Sequence, residues 1–481
     1  MNRSRSFWHS LSRALAPVLV AALGGCMVGP DYVRPAAPTP AQYKEAEGWK
    51  VAQPADDAPR GAWWEAFNDP ELNALEAQVD ISNQTVAAAE ARMREAAAAT
   101  QAARAALFPF VNGSGSAVRN SSSGGASGNG GGVNSAYNLL LGASWEPDLW
   151  GGIRRSVEAA SSGAQASAAD LANARLSVQA TLAQNYLVLR VEDAQIALLR
   201  TTVTAYDRSL QLTKNQYSAG IVARGDVAQA ESQLQSTQAQ VYDALLARAQ
   251  LEHAVAVLVG KPPSELAIAP RATLAAVYPN VPLALPSALL ERRPDIAAAE
   301  RRTAAANAQI GVAQAAFFPT LTLSANGGLQ SSVIGSLLSL PNRYWSLGAS
   351  LAQSIFDAGL RSAQKTQAIA TYDETVANYR NTVLGGFQEV EDNLAALSLL
   401  AQEATVQDAA VAAARESAAI AMNQYRAGTA SYLAVVVLQA NALNSERTAL
   451  AITGRRLSAS VGLVKALGGG WNATALASAA P

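Results

Sequence analysis

Hydrophobic and polar residues alternate along short stretches in both halves of the chain. In residues 139–146 every odd position is apolar, and the even positions 142, 144 and 146 are glycine, serine and glutamate. Residues 320–326 and 344–352 show the same period. Alternation of this kind is typical of strands with one apolar and one polar face. The sequence therefore predicts one β-hairpin in each half, joined by Asn120–Asn134 and by Gln330–Asn342.

Long segments free of helix breakers occupy most of the remaining chain. Residues 70–106 predict one helix, which ends at Phe108-Pro109 because the residue before a proline is disfavoured in the α region. Pro109 and Pro319 are therefore predicted to mark helix-to-strand junctions. Two further segments run from about Gly152 to Ser218 and from about Leu360 to Arg426. About 65 residues at 1.5 Å each would span about 100 Å.

Glycine follows each of these long segments, at Gly220 and Gly428. Glycine is the usual residue just past a helix end. A second helix is predicted to run back from each turn, to about Gly260 in the first half and Leu467 in the second. Each half thus predicts an antiparallel helical hairpin of unusual length.

The two halves repeat one another. Three short motifs recur in the same order at offsets of 206, 208 and 210 residues: 141–144 at 347–350, 215–220 at 423–428, and 105–109 at 315–319. Collinear matches at nearly one offset indicate an internal duplication.

The amino-acid composition excludes several classes of function. The chain is 50% hydrophobic but only 6% aromatic and 15% charged, and its many alanines favour closely packed helices. A net charge of -1 gives no reason to expect nucleic acid as a partner. One Cys and two His leave no disulfide framework, metal cage or acid–base pair. We therefore expect no cofactor, no metal and no enzymatic activity; His253 is interpreted as a helix-packing residue.

The first residues have the features of a secretory signal. Three arginines precede a short apolar run that ends at Leu23-Gly24-Gly25-Cys26. This ending resembles a bacterial lipobox, which implies a lipid on Cys26 and no other cofactor; an ordinary signal peptide with a chance cysteine is the alternative. Met27 resembles the sorting context for the outer membrane. The prolines that follow predict an extended tether.

These patterns divide the chain into six predicted parts. They are a signal peptide (1–25), a lipidated Pro-rich tether (26–65), a first repeat (66–263), a connector (264–291), a second repeat (292–467) and a mobile tail (468–481).

Four predicted strands with lipid-compatible faces cannot close a transmembrane barrel alone, because such barrels begin at eight strands. An open sheet edge in a bilayer would leave backbone amides without partners. The hairpins must therefore pair between subunits, or else lie outside the membrane. Strand arithmetic leaves two, three or four chains open.

Several motifs together resemble the TolC-like outer membrane factor family, in its NodT-type efflux lipoprotein branch. The similarity covers nearly the whole chain. The motifs are Cys26-Met27-Val28-Gly29-Pro30-Asp31-Tyr32, Trp63-Trp64 with Phe67, Asp69-Pro70, Glu291-Arg292-Arg293-Pro294-Asp295-Ile296, Ala305 to Val312 leading into Phe318-Pro319, and Tyr425-x-x-Gly428.

The resemblance implies a mostly α-helical trimer with a membrane β part. Twelve strands would form a β-barrel in the outer membrane, and an α-helical barrel would continue it into the periplasm. Members are exit ducts that receive substrates from an inner-membrane pump, here expected to be of the RND type, through a periplasmic adaptor protein. Type I protein secretion and metal efflux stay open as alternatives. A structural coiled-coil lipoprotein is the rival from a different class.

The resemblance also implies roles for residues near the hairpin turns. Asp226 matches an acidic position that would ring the pore, although an aspartate at a helix start is also favoured by the helix dipole. The second repeat has no acid at the matching place, which favours a hydrophobic or single-ring gate. The tip and adaptor-contact candidates are Tyr217, Gly220, Tyr425, Arg426 and Gly428.

Three tryptophans near the predicted strand ends, Trp145, Trp150 and Trp345, leave two interpretations open. They could belong to an interfacial aromatic girdle, or they could pack where strand meets helix.

Overall fold

A computed structural model describes residues 27–45, 61–121, 133–274, 276–279 and 292–470. The predicted signal peptide, Cys26 and the end of the predicted tail lie outside the described residues. Parts of the predicted tether, of the connector and of the first hairpin loop lie outside them as well.

The described residues form seven α-helices and four strands, in the order ααββαα in the first half and αββαα in the second. The helices are α1 (Pro70–Ser82), α2 (Gln84–Ala105), α3 (Gly152–Ser218), α4 (Arg224–Leu258), α5 (Pro294–Ala315), α6 (Leu360–Arg426) and α7 (Tyr432–Ala466). The strands are β1 (Phe110–Ser121), β2 (Val133–Trp145), β3 (Thr320–Ser331) and β4 (Arg343–Ala352). Short 3₁₀ turns occur at Trp63–Phe67, Pro263–Glu265, Ile334–Ser336 and Leu340–Asn342.

The prediction of one continuous helix over residues 70–106 was wrong, because the helix breaks at Asn83. Asn83 has an extended backbone, and its side-chain oxygen accepts hydrogen bonds from the amides of Thr85 (2.9 Å) and Val86 (3.0 Å), so it caps α2. Its amide nitrogen donates to the carbonyl of Leu258 at 2.7 Å. The break therefore fastens the start of α2 to the end of α4.

The two long helices begin and end where the sequence predicts. Both α3 and α6 contain 67 residues, and the returning helices α4 and α7 both contain 35. Equal lengths in the two halves show the internal duplication at the level of whole elements.

The four strands form one antiparallel sheet in the order β1-β2-β3-β4. The two hairpins meet along β2 and β3, where Ala143 lies opposite Ala325. Strands β1 and β4 are the edges, and neither has a further partner strand among the described residues.

The helices pack side by side below the sheet. Helix α3 contacts α2, α4, α5 and α7, whereas α6 contacts α5 and α7. Away from the sheet, the four long helices therefore lie side by side in the spatial order α4, α3, α7, α6. The main core lies where α1, α2, α3 and α7 meet, and includes Leu72, Leu182, Tyr186 and Leu457. A second core forms between α6 and α7 around Val383 and Leu463.

None of the helices in the described part of the chain is both long and apolar enough to cross a bilayer.

Candidate functional site

The sheet has two chemically different faces. Across the four strands Asn112, Gly142, Asn326 and Ser346 lie in one register row. A Cβ atom on Gly142 would lie 3.0 Å from Oδ1 of Asn112 and 3.1 Å from Oδ1 of Asn326, so amide side chains cover this glycine. The Asn326 amide donates to the Ser346 hydroxyl at 3.4 Å. This face is polar and able to hydrogen-bond with water.

The opposite face carries the apolar residues of the alternating pattern. Val111, Ala143, Ala325 and Leu347 form one row of it. Val111 and Leu347 of this row are exposed, and Trp345 on the same face is 76% exposed. Exposed apolar surface of this extent marks contact with lipid or with another protein.

Two of the three tryptophans near the strand ends pack where strand meets helix, and the third lies on the apolar face of the sheet. The indole of Trp145 donates to the carbonyl of Leu107 at 2.9 Å. The indole of Trp150 donates to the carbonyl of Pro319 at 2.8 Å and stacks on Phe318 with ring centroids 4.8 Å apart. These two tryptophans fasten strands to helices, whereas Trp345 lies on the apolar face.

The predicted junction residues lie where the strands begin. Pro109 directly precedes β1, and Pro319 directly precedes β3. In both cases the helix closes with a turn, because the amides of Phe108 and Phe318 donate to carbonyls three residues earlier. The two prolines thus occupy equivalent places in the two repeats.

The glycines of the two hairpin turns have positive φ angles, +73° at Gly220 and +75° at Gly428. The amide that follows each glycine donates back into the last helical turn, from Ile221 to the Gln216 carbonyl and from Thr429 to the Gln424 carbonyl, at 2.9 Å in both. This is the usual closure of a helix by a left-handed glycine. A Cβ atom on either glycine would meet nothing within 4 Å.

Equivalent tyrosines at the two turns have different environments. Tyr425 is buried, stacks at a tilt on Tyr432 with centroids 5.1 Å apart, and donates to Oε1 of Gln216 at 2.5 Å. Tyr217, the first-repeat counterpart of Tyr425, is 46% exposed. The Tyr425 bond joins the two hairpins of the chain at their ends, and the repeated motif alone did not reveal it.

Asp226 lies in the first turn of α4, half-buried. Its Oδ2 accepts a hydrogen bond from the backbone amide of Ala223 at 3.3 Å. The aspartate therefore caps its own helix, and the ring of charge that the resemblance implies stays a prediction. The residue of α7 that corresponds to Asp226 is Ala434, and the first turn of α7 has no acidic residue.

A strap formed by residues 27–45 crosses the surface of the helices, and sequence patterns gave no sign of this docking. Its start is held by Arg155, a buried guanidinium that donates to the carbonyls of Val28 and Gly29, both at 3.2 Å, and to Asp31 at 2.9 Å. The amide of Val28 donates to the carbonyl of Trp150 at 3.0 Å. The strap therefore begins beside the helix-to-strand junction.

Further contacts hold the rest of the strap. The Asn307 amide donates to the Pro30 carbonyl (2.9 Å), and the Tyr32 hydroxyl donates to Glu300 (2.7 Å). At its end the carboxylate of Glu391 accepts from the amides of Lys44 and Glu45. The strap is extended, as the prolines predict, but it is fixed along α5 and α6.

No group of three or more His, Cys, Asp or Glu side chains in the described part of the chain is arranged to hold a metal ion. Many acidic residues there are paired with arginines, as in the pair Arg248–Asp193 at 2.6 Å, which joins α4 to α3. Their arrangement is that of structural ion pairs between elements.

This chain shares its long helical body and its two-faced sheet with a solved channel of the outer membrane. The structure of the outer-membrane channel OprN has the same fold, with a TM-score of 0.86 and 30% identity over 93% of this chain and 100% of that one. The rival interpretation as a coiled-coil spacer required a chain without strands, and the sheet contradicts it.

Residues 75–261 and 285–469 match the outer membrane efflux protein family. The chain belongs to this family and is a transport protein of the outer membrane. The antibiotic efflux pump outer membrane protein ArpC of Pseudomonas putida is 32% identical over 96% of both chains. The pyoverdine export outer membrane protein OpmQ of Pseudomonas aeruginosa is 32% identical over 93% of this chain and 95% of its own.

Proposed function

We propose that three copies of the chain form a closed conduit through which substrates leave the cell without any chemical change. The observation that supports this most strongly is the sheet, which has one polar face, one apolar face and, within the part of the chain that the structure describes, two edges without partner strands. Pairing β1 of one copy with β4 of the next satisfies both edges and turns the polar faces inward, toward water.

The number of copies follows from the resemblance together with strand arithmetic. Three sheets of four strands give twelve, an even number within the range of transmembrane barrels. Each helical body then contributes two hairpins to a tube below the barrel. The apolar face with Trp345 and Leu347 contacts lipid, and a lipid on Cys26 anchors each strap beside the barrel.

The cargo is proposed to be small organic molecules. The names of ArpC and OpmQ describe antibiotic efflux and pyoverdine export for those two proteins. The tube has no catalytic group of its own in this proposal, so the driving force comes from a partner. An inner-membrane pump of the RND type supplies it through a periplasmic adaptor.

The hairpin tips are proposed to meet that adaptor. Tyr217, Gly220, Arg426 and Gly428 are exposed there, while Tyr425 holds the two tips together. Asp226, one from each copy, places three carboxylates near the narrow end. This arrangement supports a gate with one ring of charge, from the first repeat, and with apolar residues at the matching place in the second repeat.

Heat-modifiable gel migration and native mass spectrometry of the detergent-purified protein test the conduit. We expect a particle of three chains that runs compactly unless it is boiled, as a closed barrel does. A monomeric particle, or one whose migration does not change on boiling, would contradict the proposal.

Crosslinking in cells tests the partner. A photo-reactive side chain at Ser218 or Arg426 should capture an adaptor of an efflux pump. Capture of an adaptor from a type I secretion system, or of one that belongs to a metal pump, would instead support one of the two alternatives for the cargo.

A further inference from the structure

Arg119 of β1 and Arg343 of β4 are the only charged residues in the four described strands. Alternate residues of a strand share a face of the sheet. Arg119 is separated by an even number of positions from Val111, and Arg343 from Leu347, and those two residues belong to the apolar row. Both arginines therefore lie on the apolar face, which also carries Trp345.

Both arginines lie at the end of the sheet that is farthest from the helices. Arg343 is the first residue of β4, directly after the loop of the second hairpin, and Arg119 is the third residue from the end of β1. Because the helical body extends into the periplasm, this end of the sheet faces the outer leaflet of the membrane. An arginine on a lipid-facing surface costs most at the bilayer midplane and little near the headgroups. Both positions therefore suit the outer headgroup layer.

The charge at this end of the sheet is positive and uncompensated. Both side chains are exposed, and neither guanidinium has an ion-pair partner within the part of the chain that the structure describes. The strands and the loop of residues 332–342 contain no acidic residue. Near the opposite end of β4, by contrast, Arg361 pairs with Asp357 at 2.6 Å. Since the planar guanidinium matches the geometry of phosphate, the outer end favours an anionic, phosphate-bearing ligand.

The loop beside Arg343 presents apolar side chains to its surroundings. Its conformation is fixed by its own polar groups, because Nδ2 of Asn342 donates to the Ser336 carbonyl at 2.6 Å and to Oγ of Ser339 at 3.0 Å. Exposed apolar surface marks contact with a membrane or a partner. Four apolar residues of this loop are between 60% and 77% exposed: Val333, Ile334, Leu338 and Leu340.

The arginines and the loop together restrict the kind of ligand. A soluble anion would account for the arginines but would leave the apolar side chains of the loop uncovered. A neutral lipid would cover the loop but would leave the positive charge uncompensated. A lipid with a phosphate on its headgroup supplies both contacts, because its acyl chains lie directly below the phosphate.

We propose that Arg343 of one copy and Arg119 of the next bind the phosphate of an outer-leaflet lipid, with the loop of residues 332–342 against its acyl chains. The inference rests on the proposed function, because it needs β4 of one copy beside β1 of the next. Within one chain three strand spacings, about 14 Å, separate the two edge strands. In the ring the same strands are neighbours, so each seam between copies carries one site.

Native mass spectrometry of the detergent-purified full-length protein, titrated with purified lipid A as the phosphorylated lipid, tests the site. We expect up to three bound lipids, one for each seam, and weaker binding at higher salt. Arg119→Gln combined with Arg343→Gln should weaken the affinity at least about tenfold, because charge-assisted hydrogen bonds are lost. Arg92→Gln with Arg94→Gln removes two exposed charges from α2 and should bind as the wild type does.

Dephosphorylated lipid A separates the headgroup from the acyl chains without any change to the protein. It should bind the wild type and the double arginine variant equally, and more weakly than lipid A binds the wild type. Leu338→Ser with Leu340→Ser should weaken the binding of lipid A, and inorganic phosphate at equal ionic strength should not displace it. Equal affinity for the two lipids, or displacement by inorganic phosphate, would overturn the proposal.

The outcomes distinguish the lipid site from the conduit. If three-chain particles form and the double arginine variant binds lipid A as tightly as the wild type does, the lipid site is overturned while the conduit stands. If the wild-type protein forms no oligomer, the proposed function fails, and the seam fails with it. Heat-modifiable gel migration of each variant shows whether its barrel is intact, so that a loss of binding can be assigned to the substituted side chains.

Discussion

Glu76 of α1 is fully buried, and neither of its carboxylate oxygens has a hydrogen-bond partner among the described residues. Burial raises the pKa of Glu76 to about 9, and the nearby Asp80 contributes to the rise. A buried carboxyl without a partner is costly when it is charged. The side chain is therefore expected to be neutral at physiological pH.

This raised pKa predicts how stability depends on pH. The folded-state pKa lies above the ordinary value of 4.5, so protonation stabilises the fold fully below pH 4.5, and that stability is lost as the pH rises toward 9. Replacing Glu76→Gln should remove this loss and stabilise the protein at pH 8, by at most about 5 kcal/mol. Thermal unfolding at pH 5 and pH 8 measures the difference.

Glu95→Gln, which alters an exposed glutamate of α2, is the control and should leave the melting temperature unchanged at both pH values. Equal melting temperatures of wild type and Glu76→Gln at pH 8 would contradict the assignment.

Replacing glycine by alanine should destabilise the protein at the two turns but stabilise it within the neighbouring helix. At Gly220 and Gly428 an alanine must adopt the left-handed region, which costs about 1–2 kcal/mol. No neighbouring atom would clash, so the backbone alone sets this cost. At Gly225, inside α4, alanine should stabilise by about 0.5–1 kcal/mol. Hydrogen exchange of the tip amides should rise in the first two variants and fall in the third, and the same direction in all three would contradict this account.

At the scale of elements, the start of the strap is held mainly by one buried arginine. Arg155 donates to two backbone carbonyls of residues 28–29, while its partner Asp31 is largely exposed. Exposed ion pairs contribute little, so the carbonyl bonds should matter more than the charge of Asp31.

Removing that arginine should free the start of the strap. Arg155→Ala is expected to speed hydrogen exchange of the Val28 amide by at least about tenfold, corresponding to about 1.4 kcal/mol. Asp31→Asn should change it much less. Similar exchange in wild type and Arg155→Ala, or a larger effect from Asp31→Asn, would show that other contacts hold the strap.

Much of this architecture could be predicted from the sequence, because it depends on local patterns. Alternation marked β2, β3 and β4, and the spacing of breakers gave the ends of α3 and α6. The break at Asn83 was missed, since a single asparagine inside a helical pattern does not show that Leu258 will receive its side chain.

The candidate site was less predictable, because it depends on which elements become neighbours. Tyr217 and Tyr425 occupy the same motif, yet only Tyr425 has the other repeat beside it. The prolines after Cys26 indicated an extended segment but not its attachment to Arg155. Lipidation of Cys26, the charged ring at Asp226 and the adaptor contacts stay predictions.

At the scale of the whole molecule, a single chain leaves backbone hydrogen-bonding groups and apolar surface open to further contacts. Within its described residues the sheet ends in two edges without partner strands, and the outermost helices α4 and α6 expose apolar side chains such as Leu246 and Leu399. In the proposed ring of identical copies, the sheet edges of one copy pair with those of the next, and the exposed helix faces of neighbouring copies cover each other. The Tyr425–Gln216 bond lies at the ends of the helical hairpins, the proposed narrow end of the tube.

Planar-bilayer recording of the purified protein tests this conduit most directly. We predict discrete conductance steps for the wild-type protein, and a larger or more frequently open conductance for Tyr425→Phe, which loses the hydrogen bond to Gln216 at the tip. An absence of conductance from both proteins, reconstituted as verified trimers, would contradict the central claim that the chain forms one part of a water-filled tube.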